Sequence, residues 1–124
     1  MTAVNKLDVR HDTPEDGIHV YSLTGSLFGT TGGYAFVDQI REQAGAGAKG
    51  IVVDFAGVDR IDSCGIGIIV STVWSASQAG RQMILAAIPE RIERVLTMAM
   101  LLDHIGNAPT VEEALAKIKQ ETAS

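Results

Sequence analysis

The stretch Ile51-Val52-Val53-Asp54-Phe55-Ala56-Gly57-Val58-Asp59-Arg60-Ile61-Asp62-Ser63-Cys64-Gly65-Ile66-Gly67 decides the fold. Its first five residues form a short, nearly unbroken apolar run with β-branched members, the pattern of a central strand covered on both faces. Ala56-Gly57 reads as a turn, after which Val58 to Ile61 leads to Asp62 and Ser63, either of which suits the N-cap of a helix. That helix is predicted to run to about Ala79, with Ile66, Ile69, Val70 and Val73 on its inward stripe and Gly80 stopping it.

Working upstream, Phe36, Val37, Ile40 and Ala44 share one helical face, while Asp38, Gln39, Arg41 and Glu42 fall largely on the other. Gly45 and Gly47 end this helix. Before it, residues Thr24 to Gly33 form a glycine-rich connection that cannot be regular structure throughout. His19 to Leu23 alternates and is rich in β-formers, and Lys6 to Arg10 carries a fainter strand pattern. Thr13-Pro14-Glu15-Asp16-Gly17 between them has turn chemistry, so the chain is expected to open on a hairpin.

Downstream, Met83 to Ile88 reads as a second buried strand. Pro89 stands where a helix can begin, since its missing N–H costs nothing at the first position. Ile92, Val95, Leu96 and Ala99 follow at helical spacing. His104-Ile105 is the candidate for a last short strand, and Thr110-Val111-Glu112-Glu113 matches a capping box. Val111, Ala114, Leu115 and Ile118 supply the inward stripe of the final helix. The order is β-β-α-β-α-β-α-β-α. Strands alternating with helices imply parallel pairing through crossovers, and the hairpin adds an antiparallel element. The expected class is α/β, with a mixed sheet of four to five strands packed with about four helices.

The 124 residues amount to one domain spanning 1–124, and no linker or repeat divides them. An apolar share of 46% is that of an ordinary globular chain. A net charge of −5, without a cluster of Lys and Arg, argues against a nucleic-acid surface. The longest apolar run, Met83 to Ile88, is far short of the ~20 residues of a membrane span. MTAVNKLDVR lacks the apolar stretch of a signal peptide. The single cysteine, Cys64, has no internal partner for a disulfide, so a reducing cytoplasm is the natural compartment.

Ile61 to Gly67 also carries the chemistry. A hydroxyl at Ser63 stands at a helix entry, where unpaired N–H groups and the macrodipole favour negative charge. Gly65 and Gly67 keep the first turn free of bulk, so that a phosphate or another protein can approach. The plainer reading is an N-cap with small residues chosen for packing.

The segment Asp62-Ser63-Cys64-Gly65-Ile66-Gly67 resembles the D-S-[ST]-G-[LI]-G signature of STAS-domain anti-sigma factor antagonists. Leu23-Thr24-Gly25, Ile51 to Phe55, Ala79-Gly80-Arg81 and Arg94 to Met98 are similar to other segments of that family, so the resemblance covers about residues 18–118. It implies a non-enzymatic, cofactor-free binding module. Ser63 would be its phosphoacceptor, and Asp62, Cys64, Gly65, Ile66 and Gly67 its switch loop and partner-binding surface. The implied partner is an anti-sigma factor serine kinase of ATPase type, sequestered by the unphosphorylated form so that a sigma factor is released; a phosphatase would reset the switch. The alternative within the same resemblance is an unphosphorylated docking subunit of another assembly, such as a lipid-transport ABC complex. The chain departs from the pattern in three places. Ser26-Leu27-Phe28-Gly29 stands where acidic residues commonly follow the T-G dipeptide, Cys64 replaces a hydroxyl residue, and Met100 stands where glycine is frequent.

Other chemistries fit less well. Ser63 lies in D-S-C-G, not the G-x-S-x-G elbow of a hydrolase, and nothing in the sequence ties His11, His19 or His104 to it. The widely spaced histidines match no metal motif. Gly29-Thr30-Thr31-Gly32-Gly33 lacks the Lys-Ser/Thr of a phosphate loop, and Gly65-Ile66-Gly67 lacks the third glycine of a dinucleotide fingerprint. A thiol in a helix's first turn can be reactive, but Cys64 is expected to fill space beside Ser63.

Overall fold

Two antiparallel strands, β1 (Leu7–Glu15) and β2 (Ile18–Leu27), open the computed structural model, which describes residues 7–15 and 17–122. Lys6, expected in the first strand, and Asp16, expected in the turn, lie outside the described residues. Then follow α1 (Thr31–Gly45), β3 (Gly50–Ile61), α2 (Ser63–Gln78), β4 (Gln82–Ala86), α3 (Glu90–Met98), a short 3₁₀ turn at Leu102–His104, β5 (Gly106–Ala108) and α4 (Val111–Thr122). The sheet order is β1-β2-β3-β4-β5, antiparallel only between β1 and β2. This is the expected α/β domain with a five-stranded mixed sheet and four helices.

Each crossover adds its strand on the same side of the last one. Right-handed connections therefore leave α1, α2 and α3 together on one face. There Phe36, Ile40, Ile68, Ile69, Ile92 and Leu96 pack on Tyr21, Leu23, Ile51, Val53, Phe55 and Leu85. Among the described residues the other face is covered by α4, where Ala114 and Ile118 meet Ile18, Val20, Val52 and Ile84. Successive residues of β3 thus serve two cores, which is why Ile51 to Val53 had to be apolar without interruption.

Several boundaries differ from expectation, each for a local reason. Thr13 and Pro14 belong to β1 rather than to a turn. As an edge strand β1 tolerates a proline, and its register shifts between Asp12 and Glu15. Ala56-Gly57 makes no turn either, since β3 continues to Ile61. The Asp54 carboxylate accepts the Ala56 N–H at 2.9 Å, and the pairing with β2 shifts there, so the turn-forming residues produce a bulge. β2 claims Thr24 to Leu27, leaving only residues 28–30 as connection before α1. β4 ends at Ala86, and Ala87 turns away with φ of 54°. His104 closes the 3₁₀ turn, so the last strand is Gly106–Ala108, not His104-Ile105.

The inward stripe of α2 is rotated from the one expected. Gly65, Ile68, Ile69, Thr72, Ser75 and Ala76 are buried, whereas Val70 is exposed and Ile66 and Val73 are half-buried. The helix carries no charged residue, and its Ser and Thr fall on both sides, so no polar side sets its phase and contacts with α1 and β3 decide it. On α3, Ile92 and Leu96 are buried, but Val95 is half-buried and Ala99 exposed. On α4, Leu115 is half-buried at the rim of a cavity beside Arg10, Pro14 and Ser22, while Ala114 and Ile118 are fully enclosed.

Candidate functional site

Parallel strands β2 and β3 end side by side, with Leu27 opposite Ile61, and each runs within a few residues into a helix. The N-termini of α1 and α2 are thereby placed together at the carboxyl edge of the sheet, the region where open α/β sheets bind what they bind. Asp62 is the N-cap of α2. Its backbone is extended, its carboxylate accepts the Gly65 N–H at 2.8 Å, and its carbonyl accepts the Ile66 N–H at 3.0 Å. The sequence allowed either Asp62 or Ser63 as cap; geometry assigns Asp62 and releases Ser63 as the first helical residue.

Ser63 is exposed, as are Cys64 and Gly67. A first-turn residue has no intrahelical acceptor for its N–H, so Ser63 stands at the positive end of the helix dipole. Gly65 is buried for a steric reason: a Cβ there would overlap the carbonyl oxygen of Leu27 and stand 2.8 Å from Ile61 Cγ1. A Cβ at Gly67 would meet nothing within 4 Å. The two glycines of the motif therefore do different jobs, one locking the helix onto β2 and the other leaving its surface open.

Cys64 points toward the β2–α1 connection. A Cβ at Gly29 would come within 2.7 Å of Cys64 Cβ, 3.0 Å of its sulfur and 3.2 Å of Tyr34 Oη. The thiol is exposed and stands against that connection. Gly33 brings α1 equally close to α2, since a Cβ there would collide with Phe28 O at 2.5 Å and Ile68 Cδ1 at 2.6 Å. Between the two helices lies a groove of about 460 Å³, lined by Tyr34, Val37, Arg41, Cys64, Gly67 and Ser71 among others. Arg41 at its wall pairs with Asp38 at 3.5 Å.

Of the motif, Asp62, Ser63, Cys64 and Gly67 are exposed, Ile66 is half-buried and Gly65 is buried, so Gly65 belongs to the packing beneath the surface and not to the surface itself. Tyr34 and Arg41, brought alongside from α1, had no mark in the sequence beyond their polar helical positions. Trp74 and Val70, exposed further along α2, were hidden by the wrong helical phase. Two of the three histidines meet elsewhere, while His104 lies in the 3₁₀ turn. On the hairpin, His11 Nε2 lies 2.7 Å from His19 Nδ1, and His11 stacks on Tyr21 with centroids 4.5 Å apart. Burial, then the neighbouring His11, lowers the His19 pKa, while burial and then Glu42 push Tyr21 up to about 12. Among the described residues no group of three or more His, Cys, Asp or Glu side chains is placed to hold a metal ion, and no helix is long and apolar enough to cross a membrane.

The chain is similar in structure to the anti-sigma factor antagonist SpoIIAA in its unphosphorylated form, at 19% identity and a TM-score of 0.77, covering 91% of this chain and 97% of that one. It is similar to an anti-sigma factor antagonist from Mycobacterium paratuberculosis, at 18% identity and a TM-score of 0.76, covering 96% and 99%. A sulfate transporter family protein from Wolinella succinogenes also matches, at 18% identity and a TM-score of 0.73, covering 87% and 89%. At such identities these likenesses establish the fold alone. The STAS domain family model matches residues 12–114, most of the chain and all of the site just described, and the chain belongs to the STAS domain family.

Proposed function

We propose that this domain is a non-enzymatic binding module that sequesters an anti-sigma factor kinase and is switched off by phosphorylation of Ser63. The observation that carries the reading is the position of Ser63, exposed as the first residue of α2 once Asp62 has taken the cap. A kinase can reach that hydroxyl without unfolding anything, and the helix N-terminus tolerates the added charge. A partner packed on the bare hydroxyl must then withdraw or bury an uncompensated dianion, at a cost of about 3–5 kcal/mol. That is a loss of roughly a hundredfold or more in affinity. The sulfate transporter family match supports a second reading, in which the domain docks on a larger assembly, such as a lipid-transport ABC complex, with Ser63 unmodified.

The two readings separate in one experiment: calorimetric titration of the cognate kinase domain with unphosphorylated, phosphorylated and Ser63→Ala protein, beside thermal melts of each. The switch reading expects tight binding by the first and third, a hundredfold weaker binding by the second, and similar melts throughout. Equal affinity for the first two forms refutes the switch and leaves the docking subunit. Asp62→Ala is expected to cost about 1 kcal/mol through the lost cap and to slow phosphorylation while unfolding stays cooperative; an unchanged rate removes Asp62 from the mechanism.

A further inference from the structure

The outer face of α2 does not look like the surface of an isolated helix. Ser63–Gln78 contains no charged residue, although the chain as a whole carries a net charge of −5. Ser63, Gly67, Val70, Ser71 and Trp74 recur at spacings of three and four, which places them on one exposed side. Trp74, the single tryptophan, is 63% exposed and Val70 is 44% exposed. Seven residues, or about 10 Å of helix, separate this projecting indole from the open hollow at Gly67. Beside that hollow lies the groove of about 460 Å³ walled by Tyr34, Val37 and Arg41. One face thus carries a bulky apolar knob and, two turns away, a hole for one.

Knob and hole on the same face satisfy each other simultaneously under only one simple operation, a two-fold rotation between two copies. We propose that α2 pairs antiparallel with α2 of a second copy of this chain, Trp74 of each seated over Gly67 of the other. The axis passes between Val70 and Ser71, so the small residues Gly67 and Ser71 let the helices approach to the short end of the usual 8–10 Å spacing. The contact is isologous and closes on itself, giving a dimer and not a fibre. The groove that each indole borders also carries the Arg41 guanidinium, paired with Asp38 at 3.5 Å. The absence of charge on α2 removes the like-charge penalty that an acidic chain would otherwise meet on self-association. A single helix pair with its flanking groove buries less than about 1,200 Å² in total, the range of weak, reversible contacts. Self-association therefore occupies the groove beside Ser63 and withholds that face from other partners. This inference stands whether or not Ser63 is phosphorylated.

The test uses the intact chain at rising concentration, from about 5 µM to about 1 mM. Sedimentation velocity reads the mass, and emission of the single tryptophan reads its burial. The expected result is a mass moving toward twice that of the chain, with a blue shift of emission over the same range. Trp74→Ala should remove the mass change. Gly67→Leu fills the hole from a position whose Cβ meets nothing within 4 Å; it should weaken dimerisation at least tenfold and leave the Trp74 emission solvent-exposed, with far-ultraviolet dichroism confirming a folded chain for both variants. A wild-type protein that stays monomeric throughout, or a dimer that persists undiminished in either variant, overturns the proposal.

Discussion

Gly65 and Gly67 stand two residues apart in the same turn of α2, and substituting each by alanine is expected to move stability in opposite directions. At Gly67 the new methyl meets nothing within 4 Å, so only helix propensity acts. Alanine is better than glycine in a helix interior by about 0.8–1 kcal/mol, and Gly67→Ala should stabilise by that amount. At Gly65 the methyl would overlap Leu27 O, with Ile61 Cγ1 at 2.8 Å and Leu27 C at 3.0 Å. Leu27 is fully buried and its carbonyl belongs to a strand, so the obstacle is backbone that has no free direction of retreat. Overpacking costs about 1–3 kcal/mol where side chains can adjust; against backbone the upper figure is the expected one, even after the propensity gain. For a domain of this size about 3 kcal/mol lowers Tm by roughly 10 °C. Urea unfolding and thermal melts of both variants measure the effect. Similar small shifts for the two would show that α2 is not held against the end of β2, and the geometry assigned to Ser63 would fall with it.

Three helices end in the same hydrogen-bond pattern, with Gly47 after α1, Gly80 after α2 and Met100 after α3 in the left-handed region at φ of 96°, 72° and 60°. The left-handed conformation costs a non-glycine residue about 1–2 kcal/mol, partly offset by the freedom glycine loses on folding, about 0.5–1 kcal/mol. Met100 is 72% exposed and packs little, so Met100→Gly should raise stability by about 0.5–1 kcal/mol; a lowered Tm would mean its side chain contributes contacts that outweigh the strain. On α4, Ile118→Ala should cost about 2–5 kcal/mol and the half-buried Leu115→Ala distinctly less, read from paired urea melts; the reverse order would show that α4 sits rotated on the sheet.

Much of the architecture was legible in the residues because it depends on local pattern. An uninterrupted β-branched run must lie between two covered faces, and Thr110 followed by two glutamates announces a helix start; Glu113 N–H does reach Thr110 Oγ1, at 3.1 Å. The D-S-C-G-I-G order likewise placed a hydroxyl at a helix entry. What local pattern could not settle were matters of phase and partner choice. Nothing within Ile66 to Trp74 says which apolar residues turn inward, since the sequence there has no polar side to contrast with; packing against α1 and β3 selected Ile68 and Thr72 and left Val70 and Trp74 outside. Ala56-Gly57 has the composition of a turn, but pairing with β2 on one side drew it into the sheet as a bulge. The division of labour between Gly65 and Gly67 was equally invisible, because it depends on where Leu27, 38 positions earlier than Gly65, brings its carbonyl. The chain itself determined which elements form and where the serine stands along α2; the meeting of strand ends and helix faces from distant segments determined what surrounds that serine, because steric contact at close range is a property of the assembled sheet.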